Sequence, residues 1–309
     1  MRRRGAFSLY WDSNAFTLIT KEYHVKNDII KKVKEVSVKK KFPDGSLYTS
    51  ISIEHIINLS DFFQLSGRQI EIAVLDENII PEHYVRNMKT FSPKDQSILL
   101  NSRASIVGLG GLGGAVTEIL ARIGIGILTL IEADTFEESN LNRQFLSTHR
   151  LLDKSKTKAA IKRVREINPT ITVEGHDELL DDKNAASLIE NSDVVVDCLD
   201  NIQTRFFLEI AAKKVGSPLV SAAVAGVYGH VISIFPEDKG LKLIYGDSDI
   251  LPQKGVETSL GCLPHAVTLL AALETSEVVK ILLKKGSVLK NKLGIIDLMD
   301  NIFEVLDLL

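Results

Sequence analysis

The sequence predicts an α/β fold: a mostly parallel sheet with helices on both faces, preceded by a small α+β domain. Three observations carry this. From Ala104 onward short apolar runs alternate with longer amphipathic ones, the pattern of strands joined by crossover helices. Residues 104–131 read as strand, glycine turn, helix, strand, a unit whose backbone approaches a phosphate closely. Residues 1–80 have a different texture, with the only tryptophan, Trp11, and no catalytic motif. The expected division is therefore 1–80 and 81–309.

The elements run in order along the chain. Residues 7–20 alternate loosely, and 26–41 are rich in Lys and Val, with the lysines read as a solvated face. Phe42-Pro43-Asp44-Gly45-Ser46 is a turn signal. Residues 52–65 read as a helix with an apolar face of Ile53, Ile56, Ile57 and Leu59, and 69–75 as a strand. In the larger part, 104–109 and 127–131 are strands, 154–167 a helix stopped by Asn168-Pro169, and 171–174 a short strand. Residues 193–198 are apolar enough for the middle of a parallel sheet. Next come a helix over 201–215, strands over 219–224 and 230–235, a mobile Gly/Asp/Pro-rich loop over 238–258 and a long buried helix over 260–284. The tail carries two short strands.

Composition bounds the function. The 309 residues are 45% hydrophobic and 25% charged, as in a soluble globular protein, and a net charge of -3 gives no reason to expect nucleic acid. Arg2-Arg3-Arg4 is not followed by a long apolar run, and the charge-poor stretch 258–273 is too short and interrupted to span a bilayer, so no membrane association is expected. Two cysteines, Cys198 and Cys262, make a disulfide framework improbable, and a cytoplasmic location is the default.

The chemistry is read from the glycine turn and from the polar loop downstream of it. Gly108, Gly110, Gly111 and Gly113 allow the tight turn of a Rossmann-like unit, and Glu132 ends its second strand, where an acid can bond ribose hydroxyls. That alone suggests NAD or FAD. The loop Asn140-Leu141-Asn142-Arg143-Gln144 has no role in such a site. It resembles the signature of the ThiF/MoeB/HesA family, bacterial relatives of ubiquitin-activating enzymes. Lys154-Ser155-Lys156, Asp197-Cys198-Leu199-Asp200-Asn201 with Arg205, and His83-Tyr84-Val85-Arg86-Asn87 resemble further motifs of that family, in its order. The likeness covers residue 84 to the C-terminus.

The resemblance implies an adenylyltransferase that uses MgATP to activate a carboxyl group on a protein or peptide. It implies that Gly111 approaches the α-phosphate, that Glu132 binds ribose, and that Asn140, Arg143 and Lys156 contact phosphates. Asp200, next to Asn201, would hold magnesium, and Arg86 would reach the site of a partner subunit in a homodimer. Each residue has a plainer reading: a simple tight turn for the glycines, a solvated strand end for Glu132, a surface ion pair for Arg143. Lys156 has lysine neighbours on its helix, Asp200 is placed to cap the helix beginning near Asn201, and the motif around Arg86 is short. No C-x-x-C pair is present, so the four-thiolate zinc site of many family members is not expected. Both cysteines read as packing residues, which implies adenylation without an enzyme thioester. The acceptor stays open between a small ubiquitin-like carrier protein and a ribosomal peptide, as in the microcin C branch. A small-molecule carboxylate in cofactor synthesis is the alternative, and an NAD-binding redox or scaffold protein is a reading from another class.

Overall fold

A computed structural model describes residues 27–246, 255 and 257–309. The expectation for 7–20 and much of the loop expected over 238–258 lie outside these residues. The chain divides into two compact units, Met1–Arg86 and Asn87–Leu309.

In the first unit, helix α1 (27–36) leads to β1 (Val38–Lys41) and β2 (Leu47–Ile51), an antiparallel hairpin. Its turn is the one the sequence signals: Gly45 takes φ +83° and its N–H donates to the Phe42 carbonyl at 2.9 Å. β1 is exposed throughout, so its three lysines are a solvated edge that discourages further pairing. Then come α2 (Ile53–Phe63), α3 (Gly67–Asp76) and β3 (Ile79–Pro81), the last parallel to β2. Helix α3 corrects the strand expected over 69–75. Ser66 and Gln69 form a reciprocal capping box, and Ile70 and Val74 recur at helical spacing into a core with Ile29, Ile51 and Ile56. The β-branched residues imitate a strand, but the cap and the i, i+4 burial decide for helix.

In the second unit, α4 (Pro93–Asn101) precedes β4 (Arg103–Val107), α5 (Gly111–Ile123), β5 (Ile127–Ile131), α6 (Lys156–Ile167) and β6 (Thr172–His176). The chain continues through α7 (Ala185–Leu188), β7 (Val194–Asp197), α8 (Ile202–Val215), β8 (Leu219–Ala225) and β9 (Tyr228–Ile234). Helices α9 (Lys242–Tyr245), α10 (Glu257–Leu260) and α11 (Pro264–Leu283) and the hairpin β10 (Lys292–Asp297), β11 (Ile302–Asp307) complete it. The eight strands lie in the order β11-β10-β9-β8-β7-β4-β5-β6. The five from β8 to β6 are parallel, and β9, β10 and β11 extend the sheet antiparallel.

All of β7 is buried, as its apolar run Val194–Val196 suits a strand covered on both faces; Asp197 ends it. Val195 packs with Leu208, Ala211 and Ala212 of α8 on one face. Helices α5 and α11 pack against each other, and α11 lies along β7 and β8. The segment 238–258 is not wholly irregular, since 242–245 form a helical turn. Among the described residues no helix is long and apolar enough to cross a membrane.

Candidate active site

One cavity of about 1060 Å³ opens where the carboxyl ends of β4, β5 and β7 meet the antiparallel extension. In open α/β sheets this is where ligands bind. It is lined by Gly108, Gly110, Gly111, Glu132, Arg143, Lys156, Asp200 and Asn201, which the sequence singles out from separate segments. Gly113 and Asn140 do not line it. Arg86 is exposed at the end of the other unit.

The turn needs its glycines for different reasons. Gly108 takes φ +88°, and a Cβ there would stand 2.7 Å from the Cys198 carbonyl oxygen. A Cβ on Gly113 would stand 1.7 Å from the Gly108 carbonyl oxygen, so its smallness lets α5 press onto the turn. Gly110 is the N-cap of α5 and supplies no side-chain cap. The first N–H groups of that helix therefore face the cavity with a partial positive charge, the arrangement that binds phosphate.

Glu132 is more than a strand end. Its carboxylate accepts the N–H of Leu109 at 3.0 Å and those of Ala133 and Asp134 at 2.9 and 3.1 Å. It pins the end of β5 to the glycine turn and keeps about one lone-pair direction for a ribose hydroxyl. Beside it, Lys156 is only 5% exposed and its Nζ lies 3.1 Å from Asp134. Lys158 and Lys162 on the same helix are 79% and 78% exposed at their side chains, so they form the solvated face and Lys156 does not.

The loop before Gln144 is built around Asn140. The Asn140 Oδ1 accepts the Glu137 N–H at 3.1 Å, and its carbonyl accepts the N–H groups of Arg143 and Gln144. Asn140 is 7% exposed, so in this structure it shapes the loop. Arg143 is held by the Ser139 carbonyl at 3.0 Å and the Asn142 side chain at 3.1 Å. Among the described residues it pairs with no carboxylate, and its charge remains for an anion.

At the end of β7 the capping question resolves. Asn201 caps α8, its Oδ1 accepting the Thr204 N–H at 3.0 Å. Asp200 is exposed and has no hydrogen bond or ion pair among the described residues, which leaves its carboxylate for a cation. Below it Asp197 and Arg205 of the same motif lie in a buried network whose further member, Glu274, sequence reasoning missed. Arg205 is 5% exposed and donates to Asp197 at 3.1 Å, to the Ala222 carbonyl at 2.8 Å and to the Leu199 carbonyl. Glu274 is fully buried on α11; burial pushes its pKa well up, and Asp197 adds to this. The signal was present, since Glu274 and Glu277 are acids within a largely apolar helix. His230 lines the far end of the cavity, 3.3 Å from the Tyr245 hydroxyl. Burial, and then the nearby Arg205 charge, lower its pKa to about 4.

The cysteines differ. Cys198 is buried 3.9 Å from Glu274, and burial and then the carboxylates of Glu274 and Asp197 push its thiol well above the ordinary value. Cys262 is half-buried on the cavity wall, 3.6 Å from the Val224 carbonyl and just before α11.

Fold and cavity together define a Rossmann-like α/β protein with an anion-binding turn. The chain belongs to the ThiF family, whose model matches residues 84–308. It is 32% identical over 220 residues to the SAMP-activating enzyme E1 of Haloferax volcanii, covering 70% of this chain and 80% of that protein. It is 34% identical over 212 residues to the molybdopterin-synthase adenylyltransferase of Haemophilus influenzae, covering 68% and 86%. Among solved structures, E. coli MccB with ATP matches with a TM-score of 0.61 at 22% identity over 82% of each chain. PaaA matches with a TM-score of 0.61 at 20% identity, over 89% of this chain and 99% of that one. These two likenesses are of fold.

Proposed function

We propose that this protein is an ATP-dependent adenylyltransferase that activates the C-terminal carboxyl group of a small protein or peptide as an acyl-adenylate. The carrying observation is that the glycine turn, Arg143, Lys156 and Asp200 line one cavity. Family membership supports adenylyl transfer, and the relatives named above support a small carrier protein as acceptor.

The reaction needs little acid–base chemistry. A carboxylate, already ionised near neutral pH, attacks the α-phosphorus. The bond from that phosphorus to its bridging oxygen breaks, and pyrophosphate leaves with the electron pair. The protein's task is to place the nucleotide and stabilise the charge on the phosphates. The α5 N-terminus and Gly111 hold the α-phosphate, and Arg143 and Lys156 face the phosphate oxygens. Glu132 takes the ribose. Asp200 has the hard oxygen donors and the freedom from partners that suit magnesium, and would hold that ion, which would supply positive charge against the phosphates. Neither cysteine takes part. The antiparallel end of the cavity, past His230 and Tyr228, receives the acceptor tail.

Three further assignments belong to this reading: a homodimer in which Arg86 completes the partner's site, a first unit that recognises the acceptor, and a cytoplasmic location. The test is acceptor-dependent exchange of pyrophosphate into ATP, with small ubiquitin-like proteins and short peptides offered in turn. Exchange should appear with one of these classes and fall sharply in Asp200→Asn, which keeps the shape and loses the charge. Equal exchange by that variant would remove Asp200 from the site.

A further inference from the structure

Among the described residues of the first unit, Glu71 is the one charged side chain that is buried, at 0% exposure. It stands on α3 beside Ile70, at the border of the face that packs into the core. Its Oε1 lies 3.0 Å from Nε2 of His83, an ion pair when that ring is protonated, but the two are not aligned as a hydrogen bond. Its Oε2 accepts from the Tyr84 hydroxyl at 3.5 Å. Both partners belong to the tight turn Glu82–Tyr84, which runs directly into Arg86.

Burying a carboxylate with so little pairing costs stability, and the core around it is otherwise apolar. A methionine fills a similar volume without that cost. What methionine cannot do is draw two polar groups of the turn to one point on α3. The turn is also tied to the sheet. Glu82 accepts the Ser50 hydroxyl of β2 and pairs with Lys40 of β1 at 3.0 Å. The His83 and Tyr84 rings lie 4.0 Å apart between centroids, and Tyr84 is fully buried. The Val85 N–H donates to the Glu82 carbonyl at 3.2 Å. Residues 82, 83 and 84 are thus each anchored, and Arg86 follows, exposed, on a short lead from that base. A group that must meet a reacting centre loses its effect with a misplacement of about 1 Å, so a base of this kind matters to it.

We propose that Glu71 is a positioning residue, whose carboxylate fixes the His83–Tyr84 turn and so aims Arg86 at the partner's site. This rests on the homodimer reading of Arg86 and adds the group that holds that arginine's backbone in place.

The test uses the full-length wild type, Glu71→Met, which removes the polar atoms, and Glu71→Gln, which keeps an acceptor for Tyr84. The His83 side chain is 25% exposed, so it turns to water when the carboxylate is gone, and denaturant midpoints should equal the wild type's or exceed it. Deuterium uptake by the backbone of 82–86, read by mass spectrometry, should quicken at least about fivefold in Glu71→Met and less in Glu71→Gln, with α2 unchanged. In acceptor-dependent pyrophosphate exchange, kcat should fall about tenfold in Glu71→Met, with KM for ATP within about twofold and part of the loss recovered in Glu71→Gln. Added to Arg86→Ala, Glu71→Met should cause no further loss, because its effect passes through that arginine. Unchanged uptake over 82–86, faster uptake throughout the first unit with a lower midpoint, or losses that multiply in the double variant would each overturn the proposal and leave Glu71 a group of the core alone. Full exchange by Arg86→Ala would show that the reading of Arg86 had failed, and the uptake over 82–86 would then decide by itself whether Glu71 holds the turn.

Discussion

Removing the charge of Arg205 should unfold this protein more readily than any single change on its surface. In Arg205→Met, Asp197, fully buried, keeps only the Ser221 hydroxyl at 2.7 Å and the Leu199 N–H at 3.1 Å. The Ala222 and Leu199 carbonyls lose a donor as well. A buried charge stripped of its partner costs about 3–5 kcal/mol, which for a domain of this size is a fall in Tm on the order of 10 °C. The double variant Asp197→Asn, Arg205→Met removes both charges and the desolvation penalty with them, so it should recover at least about half of the loss. Urea unfolding followed by far-ultraviolet circular dichroism reads both, with an unchanged m-value as the check on two-state behaviour. A loss below about 1 kcal/mol in the single variant, or a double variant that is no better, would refute the claim that the pair is held by mutual charge in a dry interior.

The same geometry sets other outcomes. Gly113→Ala sets a methyl against the Gly108 carbonyl, so α5 must shift; ATP affinity measured by titration should collapse even if the protein folds. His230 titrates near 4 in the fold against about 6.5 unfolded, so below pH 6.5 the unfolded state binds more protons and stability falls toward pH 4. The loss is at most about 3 kcal/mol, and His230→Asn should flatten that part of the stability–pH curve. Glu274 has the opposite sign: its raised pKa makes the folded state hold a proton that the unfolded chain releases, so stability declines as pH rises above the ordinary carboxylate range. Denaturant midpoints taken across pH should show no such decline in Glu274→Gln. The double Cys198→Ser, Cys262→Ser protein should retain exchange activity, and a thiol-sensitive adduct mapped to Cys262 would reverse that assignment.

What the sequence revealed and what it hid have separate physical causes. The parallel sheet was legible because a strand covered on both faces is mostly apolar, as 194–196 are before Asp197 ends β7. The turn was legible because only glycine fits Gly108 at positive φ and Gly113 against a carbonyl. Lys156 was ambiguous because the sequence alone cannot tell the first lysine, folded back toward Asp134, from Lys158 and Lys162 further along the helix. Asn201 rather than Asp200 caps α8 because capping depends on backbone angles at a one-residue boundary, which composition does not encode. The strand expected over 69–75 failed because β-branched residues also pack in helices once a cap fixes the start. Glu274 joins the neighbouring Asp197 and Arg205 from a distant part of the chain. Only the fold brings them together.

The most direct measurement tracks the α-phosphate itself. The protein is incubated with magnesium and ATP labelled at the α-phosphate, together with the candidate acceptor. The account predicts that label moves onto the acceptor's C-terminal carboxyl as an acid-stable, hydroxylamine-sensitive adenylate, with one pyrophosphate released for each. Tight binding of NAD with no measurable affinity for ATP, and no label on any acceptor, would contradict it.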